Sequence, residues 1–239
     1  MNYKKGHNAK GIDDSKDMST EDLSKVVGGY MEGNFLINGG SGNDTIDGGT
    51  GNDTIEGGSG DDIIDSGFGN DSIDGGSGND EIIGAYNDTI DGGSGDDTID
   101  GYEGDDSIDG GSGNDSIIGG YNDTIDGGSG EDTIDGWEGD DSIDGGSGND
   151  SIIGGSGDDT ITGGSGDDVF VFTTNSGSDT ITDFKDGDSI LLTGTEADWN
   201  NLSVSYESGN TIINFGSGVI VVEGSQVTME KLNEWKGRA

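Results

Sequence analysis

From Gly39 to Val171 the chain repeats one nine-residue phrase, of which GGSGDDTID, Gly92 to Asp100, is typical. With Gly39 as position 1, fifteen units begin at residues 39, 48, 57, 66, 75, 84, 92, 101, 110, 119, 127, 136, 145, 154 and 163. Two of them, GAYNDTID and GGYNDTID, are one residue short. Position 8 is Ile in fourteen units, from Ile46 to Ile161, and Phe170 in the last. Position 6 is Asp in all fifteen: Asp44, Asp53, Asp62, Asp71, Asp80, Asp88, Asp97, Asp106, Asp115, Asp123, Asp132, Asp141, Asp150, Asp159 and Asp168. A disordered acidic tract has no reason to hold such a register, so the period predicts an ordered repeat structure.

Each unit divides into a Gly-rich loop, positions 1 to 6, and a short strand, positions 7 to 9. Alternate side chains of a strand face opposite ways, so Ile at position 8 points inward while its neighbours point out. Glycines at positions 1, 2 and 4 let the chain reverse within six residues. Two units then make one coil with a strand on each side, and successive coils stack as parallel strands into a rod roughly 36 Å long at ~4.8 Å per coil.

Stacking sets the position-6 carboxylates of units n and n+2 one above the other. Each such pair costs ~1 kcal/mol in water and ~3.5 kcal/mol at an effective dielectric of 20. The formal net charge is -42, and all nine Lys and Arg lie in residues 1–25 or 185–239. The roll therefore carries no cation of its own, which excludes nucleic acid and anionic membrane as partners for it. Apolar burial does not offset the repulsion, because hydrophobic residues make up 26% of the chain and glycine accounts for 52 residues.

A divalent cation between stacked loops turns this repulsion into attraction. Calcium suits a flexible cage of carboxylate and carbonyl oxygens, whereas magnesium prefers few protein ligands and strict octahedral geometry. Zinc calls for Cys or His, and the chain has no Cys and only His7. GGSGNDTID, GGTGNDTIE and GGSGDDTIT resemble GGxGxDxUx, with U a large apolar residue, the nonapeptide of the RTX (repeats-in-toxin) family, over Gly39 to Val171. The resemblance implies an all-β fold, a right-handed parallel β-roll solenoid. It also implies calcium ions held by the position-6 aspartates and loop carbonyls, and folding on export into calcium-rich surroundings. The family includes proteases, lipases, pore-forming toxins and adhesins, so it fixes no activity.

Alternate units belong to opposite edges of the roll. Units beginning at 39, 57, 75, 92, 110, 127, 145 and 163 all carry GGSG loops. The other edge departs from this, with SGFG, GAY, GYEG, GGY and GWEG, and Phe68, Tyr86, Tyr102, Tyr121 and Trp137 are expected to line it. Such rings pack on one another over imperfect loops or form a recognition stripe for a glycan or protein partner. Glu56, Asp74, Asp91, Asp109, Asp126 and Asp144 follow on a strand face expected to be solvated.

Both ends need caps, since an open solenoid exposes strand edges and apolar side chains. Residues 172–239 read as a small β-rich cap with strands in LSVSYES, NTIINF and GVIVVEG and a short helix in TMEKLNEW, N-capped by Thr228. Phe184, Trp199, Tyr206, Phe215 and Trp235 are its expected core, and Asp179 with Asp183 a further cation site. This region resembles the C-terminal cap of RTX exoproteins, which carries an uncleaved type I secretion signal. Residues 30–38 lead into the roll, which spans 39–171. Within residues 1–29, MSTEDLSKVVGG, Met18 to Gly29, resembles a double-glycine leader. Such leaders are read as an amphipathic helix and cut after the second glycine by ABC-type secretion machinery.

No segment is apolar enough to be a transmembrane span. The single His, and the absence of HExxH or a GxSxG with partners, argue against an enzyme. The expectation is a secreted, extracellular, non-enzymatic calcium-binding protein. Its alternatives are an adhesin or bacteriocin-like or toxin-like effector acting through the aromatic edge, and the calcium-binding accessory part of an exoenzyme.

Overall fold

A computed structural model describes residues 17–19, 32–195, 200–225 and 227. The period-2 alternation of each unit yields strands with the pattern exposed, buried, exposed, as in Ser107–Asp109 and Thr124–Asp126. Units of odd and even rank build two separate sheets. Nine strands form one: Thr45–Asp47, Ile63–Asp65, Glu81–Ile83, Thr98–Asp100, Ser116–Gly120, Thr133–Trp137, Ser151–Ile153, Val169–Thr173 and Ser189–Thr193. The opposite sheet has thirteen strands and contains Leu36–Ser41, Thr54–Ser59, Ser72–Ser77, Thr89–Asp91, Ser107–Asp109, Thr124–Asp126, Ser142–Asp144, Thr160–Thr162 and Ser178–Ile181.

Pairing is parallel and joins each unit to the next but one: Ile46 to Ile64, Ile99 to Ile117, Ile108 to Ile125. The position-8 residues thus form two facing columns that are the whole core of the roll, each 3% exposed or less. At position 1 fourteen of the fifteen units carry glycine, and a Cβ on Gly92 would lie 2.7 Å from Gly110 O and 2.9 Å from Asp97 Oδ2. The exception is Ser66, which is fully buried and directs its hydroxyl to Asp88 Oδ2 in the shortened loop of the next coil.

The ladder runs past the expected limits of 39–171 in both directions. Ile37 is fully buried and pairs with Ile55, so Leu36–Ser41 begins with the strand of a further unit, with Phe35 in place of the position-6 Asp. At the other end Ile181 pairs with Ile161, and Ile190 with Phe170. Residues 172–182 and 183–191 are therefore two more units, irregular in length or sequence. Beyond them Ser203–Glu207, Asn210–Phe215 and Gly218–Val222 form an antiparallel cap that joins the larger sheet through Ser178–Ile181. Phe172, Phe184, Leu192, Ile213, Phe215, Ile220, Val222 and Val227 are buried in it.

Tyr206 corrects the expected cap core. It is 52% exposed, held by a hydrogen bond from its hydroxyl to Val227 O at 3.0 Å. Trp199, Trp235 and the helix expected from Thr228 lie outside the described residues. Of the leader-like stretch, Met18 and Ser19 belong to a strand, Asp17–Ser19, paired in parallel with Leu36–Asn38; the remainder also lies outside them.

Candidate metal centre

Position 6 ends each loop, where the chain turns inward to enter its strand, so the aspartates end up inside the roll. All fifteen predicted site residues, from Asp44 to Asp168, are 5% exposed or less. They form two rows. On the regular edge, that of the GGSG loops, Asp44 N donates to Asp62 Oδ1 at 2.7 Å and Asp62 N to Asp80 Oδ1 at 2.7 Å. The chain of bonds continues through Asp97, Asp115, Asp132 and Asp150 to Asp168. On the aromatic edge Phe35 N begins the same relay into Asp53, then Asp71, Asp88, Asp106, Asp123, Asp141 and Asp159.

Each row has one member more than the repeat count: Asp179, expected at a cation site but with Asp183 as its partner, and Asp188, which the sequence reading missed. Asp159 N donates to Asp179 Oδ1 at 3.3 Å, and Asp168 N to Asp188 Oδ1 at 3.1 Å. Asp179 is fully buried and Asp188 4% exposed. Asp183 instead accepts Gly163 N and Gly164 N, both at 2.8 Å, and so clamps a loop rather than joining Asp179 at a cation site.

Each Oδ1 is thus satisfied, and the second oxygen is the informative one. Buried Oδ2 atoms without a hydrogen-bond partner recur at Asp53, Asp62, Asp71, Asp80, Asp97, Asp106, Asp115, Asp123, Asp132, Asp141, Asp150, Asp159 and Asp179. One such oxygen costs about 1–3 kcal/mol, more when ionised. A file of them along both edges is a set of positions that calls for a cation. Among the described residues no three His, Cys, Asp or Glu side chains converge as a metal cluster, so a cation here would draw on loop carbonyls as well as carboxylates. Hard oxygen donors of mixed kind suit calcium.

Electrostatics point the same way. Burial, then the charges of Asp159, Asp123 and Asp140, push Asp141 up to about 8 against the hydrogen bond from Asp123 N. Asp97, Asp106 and Asp179 rise to about 7, and Asp53, Asp80, Asp123, Asp132, Asp150 and Asp159 to about 6, burial being the main cause in each. Without a counter-charge the interior favours the protonated acid.

Three positions differ. Asp88, in the short loop GAYND, has its Oδ2 satisfied by Ala85 N at 3.0 Å and Ser66 Oγ at 3.3 Å. Asp168 Oδ2 lies 3.0 Å from Lys185 Nζ, and Asp188 Oδ2 accepts Lys185 N at 2.8 Å.

The aromatic residues stand outside the row, as expected. Phe68, Tyr86, Tyr102, Tyr121 and Trp137 are 41–61% exposed. Phe68 and Tyr86 are in ring contact, with centroids 5.9 Å apart. Tyr102, Tyr121 and Trp137, with Asp100, Glu103 and Ile118, line a cleft of about 430 Å³. Tyr102 and Trp137 have φ of 70° and 76°, a left-handed conformation that glycine adopts at this position in regular loops.

Among solved structures, the extracellular lipase LipA from Serratia marcescens aligns at 17% identity and a TM-score of 0.34, over 70% of this chain and 44% of the lipase. The chain thus spans less than half of that protein's length. No curated protein sequence matches. The family profile of the RTX calcium-binding nonapeptide repeat matches residues 38–73, 56–85, 82–117, 118–152 and 144–181, more than half of the chain, with repeats that bind calcium in multiples. Two rows of stacked carboxylates, most with a buried oxygen that no protein donor meets, belong to a calcium-binding β-roll, and this chain is a member of the RTX repeat family.

Proposed function

We propose that the chain is a secreted, non-enzymatic protein that is exported unfolded and folds when extracellular calcium enters the roll. The file of buried, unpartnered Oδ2 atoms carries this reading. A folded chain without cations would have to protonate its interior carboxylates or hold them ionised without a counter-charge, so metal binding and folding are coupled. When bound, calcium supplies two positive charges to each stacked pair. The ligands are the position-6 aspartates with orphaned Oδ2 atoms, extended by Asp179, while Asp88 is served by Ser66 and Ala85. Extracellular sites of ~10⁻⁴ to 10⁻³ M affinity would stay empty in the cytosol and fill outside. Residues 1–29 as a leader and a secretion signal in the cap beyond the roll complete the proposal, with ABC-type machinery as the exporter.

Far-UV circular dichroism of EGTA-stripped protein tests it. Calcium should restore the β signal cooperatively where equal magnesium does not, and an apoprotein that stays compact and protease-resistant would sink the reading. The N-terminus of secreted material, read by mass spectrometry, should be Tyr30.

The cleft beside Tyr102, Tyr121 and Trp137 supports a second reading, in which the aromatic edge recognises a glycan or protein surface and the molecule acts as an adhesin or effector. Replacing Tyr86, Tyr102, Tyr121 and Trp137 by Ser should then abolish surface binding with calcium affinity unchanged. Equal loss of both would make the rings purely structural.

A further inference from the structure

The last position of the regular edge is closed differently from those before it. Lys185 Nζ lies 2.8 Å from Gly164 O, 3.0 Å from Asp168 Oδ2 and 3.3 Å from Asp188 Oδ1. These are a loop carbonyl, the inner oxygen of one position-6 carboxylate and the bonded oxygen of the next. Both carboxyl side chains are fully buried, and Lys185 is the only Lys or Arg among the described residues. A side chain free to reach water instead points its charge at the kind of Oδ2 atom that stands without a partner elsewhere in both rows.

We infer that Lys185 fills the terminal cation position with its own ammonium, so that this position takes no calcium and the C-terminal end of the roll closes without metal. The inference rests on the calcium reading above and adds a place where calcium is excluded. An ammonium has three donors and no acceptor, which matches three converging oxygens. A metal ion and the ammonium cannot share the space, because both are positive.

The surrounding chain holds the ammonium in place. Lys185 N donates to Asp188 Oδ2 at 2.8 Å, and Asp188 N to Lys185 O at 3.2 Å, closing a tight turn. Asp183 pins the same turn to the loop beneath through Gly163 N and Gly164 N. Phe184, 7% exposed, packs its ring 6.0 Å from that of Phe170. The ammonium is thus pre-positioned by the cap core, whose side chains bury without any metal. A tethered charge also needs no filling from solution, so this end is in place before the metal-dependent coils close, and it offers them a formed strand edge.

Calcium stoichiometry and hydrogen exchange on the full chain test the inference. By native mass spectrometry, Lys185→Met should bind one calcium more than the unaltered chain, and Lys185→Arg the same number. In EGTA, amides of residues 163–193 in the unaltered chain should exchange at least about tenfold more slowly than those of residues 92–126. In Lys185→Met that protection should require calcium. Equal stoichiometry in Lys185→Met and the unaltered chain would overturn the inference. So would 163–193 exchanging as fast as 92–126 in EGTA, a result that stands even if the Met variant fails to fold. An unaltered chain that binds no calcium would overturn the calcium reading itself, and is distinguished by the first measurement.

Discussion

The two edges of the roll share one interior and differ in what they present outside it. Along the regular edge each loop copies the one beneath, and the serines at position 3 bridge from coil to coil, Ser94 to Ser112, Ser112 to Ser129, Ser129 to Ser147. The aromatic edge has lost a residue at GAYNDTID and again at GGYNDTID. Its aspartate relay is nevertheless unbroken: Asp71 N reaches Asp88 Oδ1 at 2.7 Å, and Asp106 N reaches Asp123 Oδ1 at 2.7 Å. Apart from the buried pair Ser66 and Asp88, irregularity lies in the outer part of the loop. In a regular loop a Cβ on Gly111 would collide with Gly93 O, yet Tyr102 and Trp137 occupy the same position. Each sits one coil after a shortened loop, so the missing residue makes room for the ring. The left-handed backbone there costs about 1–3 kcal/mol, which the regular edge does not carry.

Acidity should produce the largest effect, because it acts on both edges together. Buried aspartates raised from 3.8 to between about 6 and 8 bind protons more tightly folded than unfolded. In EGTA the roll should therefore be most stable below about pH 4 and lose stability as pH rises through 6 to 8. Calcium competes with those protons, so its midpoint should fall over the same interval. Circular dichroism at pH 4.5 and 8 checks both, and an apoprotein more stable at pH 8 would reverse the sign of the argument.

Next in size is the contrast between single carboxylates. Asp97→Ala on the regular edge removes an orphaned oxygen facing a cation position and should raise the calcium midpoint about tenfold, roughly 1.4 kcal/mol. Asp88→Ala, where protein donors already serve the oxygen, should move it less than about threefold. Equal shifts, read by calcium titration, would erase the distinction between the two kinds of position. Gly93→Ala should lower the melting temperature in calcium, since φ is 96° and the Cβ would strike Gly76 O, whereas Tyr102→Gly should raise it by relieving about 1 kcal/mol of strain. Smallest is Ser66→Ala, expected to cost about 0.5–1.5 kcal/mol through the bond to Asp88.

Much of this was legible in the repeat. A period of nine with one Ile per unit dictates two columns and two sheets, and an Asp in every unit dictates two stacked rows. The ends were not legible, because their units drop the glycines that mark the phrase. Asp179 and Asp188 each follow their row neighbour by 20 residues rather than the usual 18 or 17, and only the triads DTI and DSI signal them. Phe35 and Ile37 lack the Gly-Gly that opens a unit. Nothing in the sequence ties Lys185 to Asp168, and only the fold brings the two together. Tyr206 falls in an alternating strand, but the strand is the outermost of the cap and leaves its ring in solvent.

The aspartate relay gives the rod a sense, like an arrow. Every inner N–H along an edge points to the carboxylate of the following coil, and none points back. Phe35 opens one row from its backbone, with no acid group of its own. The closing residue receives a bond from its row and passes none on, Asp188 N turning back to Lys185 O. Head and tail are chemically unlike for this reason, and two such rods cannot be laid end to end in reversed orientation to extend the same line of bonds.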